Sequence, residues 1–294
     1  MLAALPAVIF GIFQYGIPAL AVVAFSVSCA MLWELLMNLV MKRPVTIGDG
    51  NAALIGLLFS MLMPATLPWW VVLIGTFAAI IIGKLIYGGV GCNPFNPTLV
   101  AVAILLLSWK GILRFDEALV NYDFDFYMLF PLGAVKHFGA EAAADYSLAG
   151  LIMGRQVGGI GSTFGLGLIV GGIYLILRGH VRWEIPVSFL AGIFVTALVF
   201  NMIDSAKYAQ PLFHIFTGYT LIGAFFLAPE DSSSPVNFIP MLIYGAGAGI
   251  LTILVRNLGA FTDGVVFTIL LMNVANPLID KIRPKALGRG VEHA

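Results

Sequence analysis

Charged side chains are scarce in this sequence. Asp, Glu, Lys and Arg make up 10% of its 294 residues, whereas 60% are hydrophobic and the mean hydropathy is +1.00. A soluble protein is about 25% charged, so this composition would not cover the surface of a water-soluble domain. The fifteen basic and fifteen acidic residues balance, which gives no support for a basic nucleic-acid-binding face. The composition predicts a polytopic membrane protein in a lipid bilayer, with no nucleic-acid partner.

Residues and motifs that carry chemistry on their own are also few. The two cysteines, Cys29 and Cys92, do not suffice for a disulfide framework or a four-thiolate cluster, and we expect both as buried free thiols. The four histidines have no metal-ligand spacing, and no Ser-His-Asp arrangement, Walker loop or dinucleotide fingerprint occurs. We therefore expect no catalytic residue, no metal site and no NAD site in this chain.

Apolar segments separated by Gly, Pro and charged residues fill most of the sequence. A spanning helix needs about 20 residues, so the chain accommodates about ten such helices. Several segments are shorter than a full span, which is typical of discontinuous or tilted helices. They lie near residues 2–15, 17–40, 51–63, 68–87, 97–109, 162–177, 185–203, 211–228, 238–255 and 264–277.

The distribution of Lys and Arg indicates the orientation, because cytoplasmic loops carry an excess of both. With a cytoplasmic N-terminus, the one long connection, 110–161, lies on the non-cytoplasmic side and holds six acidic against four basic residues. We predict two membrane halves of about five helices each, at 1–109 and 162–280, separated by that loop, and a cytoplasmic C-terminal tail at 281–294. The basic residues assigned to the cytoplasmic side are Lys42, Arg43, Arg178, Arg182, Lys281, Arg283, Lys285 and Arg289.

An internal repeat relates the two halves. Residues 54–59 resemble residues 221–226, an offset of 167, and each copy continues through a proline, an apolar helix and a glycine-bearing break. Because the copies begin five segments apart, they would run in opposite directions, as in inverted-repeat transporters that bind their ligands at broken helices. Chance similarity between apolar helices is the alternative. The predicted fold is all-α, with inverted repeats whose breaks, at 88–97 and 259–264, face one another.

The segment 88–97 is the most unusual part of the chain. Its three glycines and two Asn-Pro pairs do not continue a helix. Such backbone is tolerated at membrane depth only where it is buried in protein or lines a cavity, although a tight surface turn would explain one of the prolines. Gly88, Gly89, Asn93 and Asn96 are therefore candidates for a cofactor-binding site or an ion path.

Ionisable and hydroxyl residues near other helix ends add further candidates. Lys84 and Glu34 lie in apolar helices, where an ionisable group is either functional or extends to the membrane interface. Asp49 precedes the helix at 51–63 and either caps it or borders glycines and N–H groups that receive an anion such as a flavin phosphate. Thr217 and Thr220 open the corresponding helix of the second copy.

Motifs in the breaks between helices resemble one family in order along nearly the whole chain. That family comprises the D subunits of the Rnf electron-transport complex and also includes the B subunits of the sodium-pumping NADH:quinone oxidoreductase. The motifs are Arg43–Gly50, Pro68–Trp70, Gly88–Pro97, Gly158–Thr163, Phe216–Phe226 and Asn273–Asp280.

The resemblance implies ten helices in two inverted halves, similar in fold to urea-channel-type proteins. It implies a complex in the bacterial or archaeal plasma (inner) membrane that couples electron transfer between ferredoxin and NAD⁺ to Na⁺ or H⁺ translocation. Partner subunits would carry the iron–sulfur clusters and the nucleotide site, and this subunit would carry flavin, either FMN or riboflavin. We expect the chain not to be catalytic alone.

The sequence departs from the family at one position. Members attach FMN through a phosphodiester to a threonine in the non-cytoplasmic loop, immediately before the segment that reads 131–136 here. This chain has Phe130 at that position, and a phenyl ring has no oxygen for the bond. We expect no covalent FMN by the usual linkage, whereas a noncovalent flavin remains compatible with the sequence. The alternative function is a non-redox transporter or scaffold subunit of the same inverted-repeat fold.

Overall fold

The computed structural model describes residues 1–282, and all regular structure in that part of the chain is helical. The predicted tail at 281–294 therefore lies almost entirely outside the described residues. The α-helices are α1 (Leu5–Tyr15), α2 (Ile17–Val40), α3 (Asn51–Leu62), α4 (Trp69–Phe77), α5 (Pro97–Ser108), α6 (Phe115–Ala118), α7 (Pro131–Phe138), α8 (Leu148–Ile152), α9 (Gly165–Leu177), α10 (Glu184–Ile203), α11 (Pro211–Phe216), α12 (Thr220–Ile222), α13 (Phe238–Leu258) and α14 (Val265–Ile279).

The prediction of a polytopic all-α membrane protein is confirmed. Four helical segments are long and apolar enough to cross a membrane, namely Ile17–Val40, Trp69–Tyr87, Glu184–Ile203 and Phe238–Leu258. The other apolar segments are shorter: Leu2–Tyr15, Asn51–Leu62, Pro97–Ser108, Gly165–Leu177 and Val265–Ile279.

The predicted segment 211–228 is divided into three pieces. The helices α11 and α12 are separated at Gly218, whose φ of 64° is a conformation that favours glycine. A π-helical turn, Gly223–Leu227, continues α12. Another π turn, Ala78–Ile82, extends α4. Such turns are rare and frequently mark functional sites.

The two copies of the repeat run in opposite directions. After α3 the chain reaches the long connection, where the Thr66 hydroxyl donates to the Ala118 carbonyl oxygen (2.7 Å); we call this side the loop face. After the π turn that follows α12, the chain reaches the other side, where Asn93 Nδ2 donates to Glu230 Oε1 (3.0 Å); we call it the Asn93 face. The chain direction therefore agrees with an inverted repeat.

The prediction that the two breaks face one another is wrong. The break 88–97 lies on the Asn93 face, whereas the break 259–264 lies on the loop face, where Lys136 donates to the Gly259 carbonyl oxygen. The reason is geometric, since inversion places corresponding breaks at opposite ends of the helices. Cys29 is buried as expected, but Cys92 is exposed, because it lies in the loop portion of the first break.

The long connection is partly helical and ends in a buried, glycine-rich segment, 156–163. Irregular backbone inside a membrane protein needs internal hydrogen-bond partners. The Gln156 side-chain amide supplies three of them, donating to the carbonyl oxygens of Leu151, Thr163 and Phe216. The Gln156 side chain therefore links the end of the long loop to α8 and α11.

Close packing of small residues joins the long helices of the second half. A Cβ at Gly245 of α13 would lie 2.6 Å from the Ile185 carbonyl oxygen of α10, and one at Gly192 would lie 2.6 Å from that of Ala246. These distances leave no room for a side chain, so the backbones of α10 and α13 lie in direct contact, as at other helix–helix interfaces in membranes that are built from small residues. These glycines set the position of α13, the helix that leads into the loop-face break.

Candidate functional site

A cavity of about 430 Å³ lies on the Asn93 face between the two halves. Residues of α3 and of the first break border one side, and residues that follow α12 border the other. We call it the Asn93 cavity. Among its lining residues are Asn51, Leu54, Asn93, Asn96, Phe225, Phe226 and Glu230.

The two asparagines of the break connect the halves beside this cavity. Asn93 Nδ2 donates to the Phe95 carbonyl oxygen and to Glu230 Oε1, both at 3.0 Å. Asn96 caps α5, because its Oδ1 accepts from the Leu99 N–H (3.2 Å). Its Nδ2 donates to the Leu227 carbonyl oxygen (2.9 Å). Both asparagines are therefore bonded to the second half, which a tight surface turn between two helices would not require.

Glu230 and Asp231 are the acidic residues that line the Asn93 cavity, and Glu230 is the one that bonds to the first half. Its Oε1 accepts from Asn93, and its Oε2 accepts from the Ser233 N–H (3.0 Å) and from the Ser233 hydroxyl. The carboxylate thus has neutral donors in the described residues and no cation within salt-bridge distance. It places negative charge next to the seam between the halves.

Lys84 forms a buried ion pair and does not extend to the interface. Its Nζ lies 2.9 Å from Glu34 Oε1, and the two side chains are 2% and 1% exposed. The Thr46 hydroxyl donates to the same carboxylate oxygen (2.6 Å) and accepts from Asn38 Nδ2 (2.9 Å). Glu34 Oε2 is buried and has no hydrogen-bond partner among the described residues. The pair connects α2 to the end of the α4 segment.

The remaining candidates on this face lie outside the cavity wall. Gly88 and Gly89, with φ of 122° and 111°, form the turn that follows Lys84. Asp49 is exposed, and its Oδ1 accepts from the Asn51 N–H (2.8 Å). The carboxylate thus bonds to the N-terminus of α3, where an anion would have to bind, so the capping interpretation fits the geometry better.

Thr217 and Thr220 lie on the loop face, at the other end of the molecule. The Thr217 hydroxyl donates to the Phe213 carbonyl oxygen (2.7 Å), and that of Thr220 donates to the His214 carbonyl oxygen (2.8 Å). Both hydroxyls therefore donate hydrogen bonds to backbone carbonyl groups at the interruption between α11 and α12. The candidate residues thus divide between the two faces and form no single site.

Arg256 and Asp263 form a second buried ion pair, which sequence reasoning did not identify. Their charged atoms are 3.0 Å apart, with side chains 2% and 8% exposed. Arg256 also donates to the His214 carbonyl oxygen and to the Thr220 hydroxyl, both at 2.9 Å. Asp263 accepts from the Tyr219 N–H (2.7 Å). The sequence did offer one signal for Arg256, a basic residue shortly before a glycine-containing break, and Lys84 has the same feature.

Phe130 borders a second cavity, of about 450 Å³, on the loop face. The residue is 6% exposed and precedes Pro131, the first residue of α7. Its N–H donates to Asp116 Oδ1, and its ring packs on Phe115 with centroids 5.2 Å apart. We call this the Phe130 cavity.

The buried pair at Glu34 gives a test by double-mutant cycle. Lys84→Met should destabilise the folded chain by about 3–5 kcal/mol, because it leaves a buried carboxylate without its cation. The double variant Glu34→Gln/Lys84→Met should recover most of that loss. The free energy of unfolding in detergent, or the thermal midpoint, measures both. Equal destabilisation by the single and double variants would contradict a direct pairing.

Comparison with known proteins is consistent with this architecture. The model of the NQR2, RnfD, RnfE family matches residues 1–288. The chain is similar to the D subunit of the proton-translocating ferredoxin:NAD(+) oxidoreductase complex of Clostridium ljungdahlii, with 36% identity covering 95% of this chain and 87% of the relative. It is also similar to the D subunit of the Na(+)-translocating ferredoxin:NAD(+) oxidoreductase complex of Acetobacterium woodii, with 35% identity covering 96% and 86%. The chain therefore belongs to the NQR2, RnfD, RnfE family.

Proposed function

We propose that this chain is an integral membrane subunit of an Rnf-type complex that couples electron transfer between ferredoxin and NAD⁺ to Na⁺ or H⁺ translocation. The observation that carries the proposal is the similarity to two complex subunits along 95% and 96% of the chain. The relatives' names imply further subunits. The partners of this chain would include membrane and peripheral subunits, among them those that hold iron–sulfur clusters.

The proposed location is the plasma membrane of a bacterium or archaeon, with the Asn93 face in the cytoplasm. Lys42 and Arg43 follow α2 on that face, and Arg178 and Arg182 follow α9. Basic residues in short connections favour the cytoplasmic side. This orientation places the long connection and the Phe130 cavity on the non-cytoplasmic side, and both termini in the cytoplasm.

The proposal includes a flavin held without a covalent bond. The Asn93 cavity fits a planar aromatic ring with polar edges, because it combines the phenyl rings of Phe225 and Phe226 with the amides of Asn51 and Asn93. Its volume lies in the range of about 300–1,000 Å³ that is typical of ligand sites. When bound, the flavin supplies one-electron chemistry, and the chain's own residues orient the ring and exclude water.

Ion translocation would use ionisable groups on the same face. Among the described residues, the carboxylate and ammonium groups there that are buried or half-buried are Glu34, Lys84, Glu184, Glu230 and Asp280. Within membrane segments such groups often mark ion or proton pathways. Glu34 and Glu184 each retain one carboxylate oxygen without a hydrogen-bond partner among the described residues, so these two carboxylates are the groups best placed to accept a cation or proton.

The second candidate function is a non-redox transporter or scaffold subunit of the same fold. Phe130 favours it, because the usual attachment point for FMN has no hydroxyl. Conversely, the similarity to the named complex subunits extends over both faces of the molecule and is not restricted to one cavity. The coverage favours the redox subunit.

Deletion of this chain tests the proposed function. In membrane vesicles from the native organism, reduced ferredoxin should drive NAD⁺ reduction together with Na⁺ or H⁺ uptake. Removal of the chain should abolish both, and re-expression should restore both. A sodium ionophore and a protonophore distinguish the two ions. Coupled electron transfer that continues at its full rate without the chain would favour the transporter or scaffold alternative.

Asn93→Leu and Asn96→Leu should impair flavin retention or ion transport without preventing membrane insertion. Asn93→Leu removes the donor to Glu230, and Asn96→Leu also removes the cap of α5, which costs about 0.5–2 kcal/mol of stability. Flavin content of the purified complex and ion uptake in vesicles measure the effect. Asn121→Leu, in the exposed part of the connection, is the control. Wild-type flavin content and coupling in both variants would exclude a role for these asparagines.

The denatured chain should show no flavin fluorescence on a gel. The reason is the phenyl side chain of Phe130, which cannot form the phosphodiester bond of the family. A covalently flavinylated relative on the same gel is the positive control. A fluorescent band at the mass of this chain, about 31.5 kDa, would show that another residue accepts the FMN.

A further inference from the structure

A buried asparagine of α14, Asn273, contacts three other segments of the chain on the Asn93 face. Its Oδ1 accepts from the Asn96 N–H (3.2 Å). Its Nδ2 donates to the Ser233 carbonyl oxygen (3.1 Å) and to the Tyr244 hydroxyl (2.7 Å). The residue is 2% exposed, and all three partners lie outside its own helix. Both amide hydrogens and one acceptor position of this side chain are therefore used between segments.

These hydrogen bonds complete a closed ring beside the Asn93 cavity. The Asn96 N–H donates to Asn273, and Asn273 donates to the Ser233 carbonyl oxygen. Ser233 in turn donates from its N–H and its hydroxyl to Glu230 Oε2. Glu230 Oε1 accepts from Asn93 Nδ2. The backbone between Asn93 and Asn96 closes the circle, which we call the Asn273 ring.

The members of the Asn273 ring divide into those that line the cavity and those that hold them. Asn93, Asn96 and Glu230 line the Asn93 cavity, whereas Ser233 and Asn273 are buried and do not line it. A ligand in the cavity therefore contacts groups whose orientation depends on two residues that it does not touch. Because side chains that are already held in place need no ordering when a ligand binds, such support favours tight binding.

A neighbouring asparagine of α14 contacts the same segment without closing the ring. Asn276 lies about one helical turn after Asn273, and its Nδ2 donates to the same Ser233 carbonyl oxygen (3.0 Å). Its Oδ1 has no hydrogen-bond partner among the described residues. The two asparagines therefore share one contact, and of the two it is Asn273 that also bonds to the first break and to α13.

We propose that Asn273 is a positioning residue for the ligand of the Asn93 cavity, because it closes the ring that holds the lining groups in place. The inference rests on the proposed noncovalent flavin and concerns how the chain retains it. The bond between Asn96 and Asn273 is buried, so water does not replace it when it is lost. Without the Asn273 amide the Asn96 N–H lacks an acceptor, and the break shifts to find another. That shift turns Asn93 and Glu230 away from the orientation in which they line the cavity.

Asn273→Ala should weaken flavin binding to the complex about tenfold, because it removes the hydrogen bonds that close the ring. Asn276→Ala is the matched control and should bind flavin as the wild type does, since it removes one bond and leaves the ring closed. Titration of the purified, flavin-depleted complex with riboflavin and with FMN measures the affinities. Equal flavin affinity in the two variants would overturn the positioning role.

Asn273→Asp separates the two sides of the ring and serves as the second variant where the alanine variant does not fold. The carboxylate has the shape of the amide and retains the acceptor for the Asn96 N–H, but it removes both donors. The ring then opens at Ser233 and stays closed at the break, so flavin binding should weaken less than in Asn273→Ala. The absorption spectrum of the bound flavin should change in both variants. A wild-type spectrum in both would show that the lining groups keep their orientation without the Asn273 amide.

Hydrogen exchange of the first break tests the ring without flavin. In the purified complex, the Asn96 backbone N–H should exchange faster in Asn273→Ala and should keep its protection in Asn273→Asp and Asn276→Ala. Unchanged exchange in Asn273→Ala would contradict the ring. Faster exchange, in a complex whose wild type holds no flavin, would support the ring and contradict the proposed flavin alone. Faster exchange together with unchanged flavin affinity would overturn the positioning role.

Discussion

Reciprocal capping between the halves is the interaction on which the rest of the structure depends. A lipid bilayer offers no water to the carbonyl groups of an interrupted helix, so each interruption needs a partner within the protein. The Tyr219 hydroxyl, from the second half, donates to the Leu62 carbonyl oxygen (2.7 Å) at the end of α3. Asn96, from the first half, donates to the Leu227 carbonyl oxygen (2.9 Å) after α12. Each half therefore completes the broken helix of the other.

The position of the cavities follows from this exchange. Each capping residue lies in an irregular segment, and the interruption of the helix there leaves space between the neighbouring helices. The Asn93 cavity lies next to Asn96, and the Phe130 cavity is lined by Tyr219. Because the repeat is inverted, the two spaces open on opposite faces. The same structural device thus produces two cavities, with different side chains in their walls.

The sequence predicted the helices and their interruptions better than the contacts between them. Hydropathy and Gly-Pro punctuation depend on local chemistry, so they located the apolar segments and the break at Asn96. The partner of Lys84 is Glu34, fifty positions away, and no periodicity relates the two. From the sequence, a lysine in an apolar helix predicts either a functional group or a group at the membrane interface. The structure shows that Lys84 is instead buried in an ion pair with Glu34. Arg256 and Asp263 were missed for the same reason, although each was visible as a charge near a glycine.

The two buried cations show how inversion produces different chemistry at related places. Lys84 lies shortly before the turn at Gly88, and Arg256 lies shortly before Gly259, so they occupy similar positions on opposite faces. Arg256 donates to two backbone carbonyls, to a hydroxyl and to a carboxylate, and a group with that many fixed partners holds one conformation. The pair at Lys84 has fewer bonds and leaves one oxygen of Glu34 without a partner among the described residues. A buried charge with an open coordination position costs stability unless another group satisfies it. Both buried pairs thus leave one polar atom without a partner among the described residues, Nε of Arg256 and Oε2 of Glu34, and the pair on the Asn93 face is held by fewer hydrogen bonds.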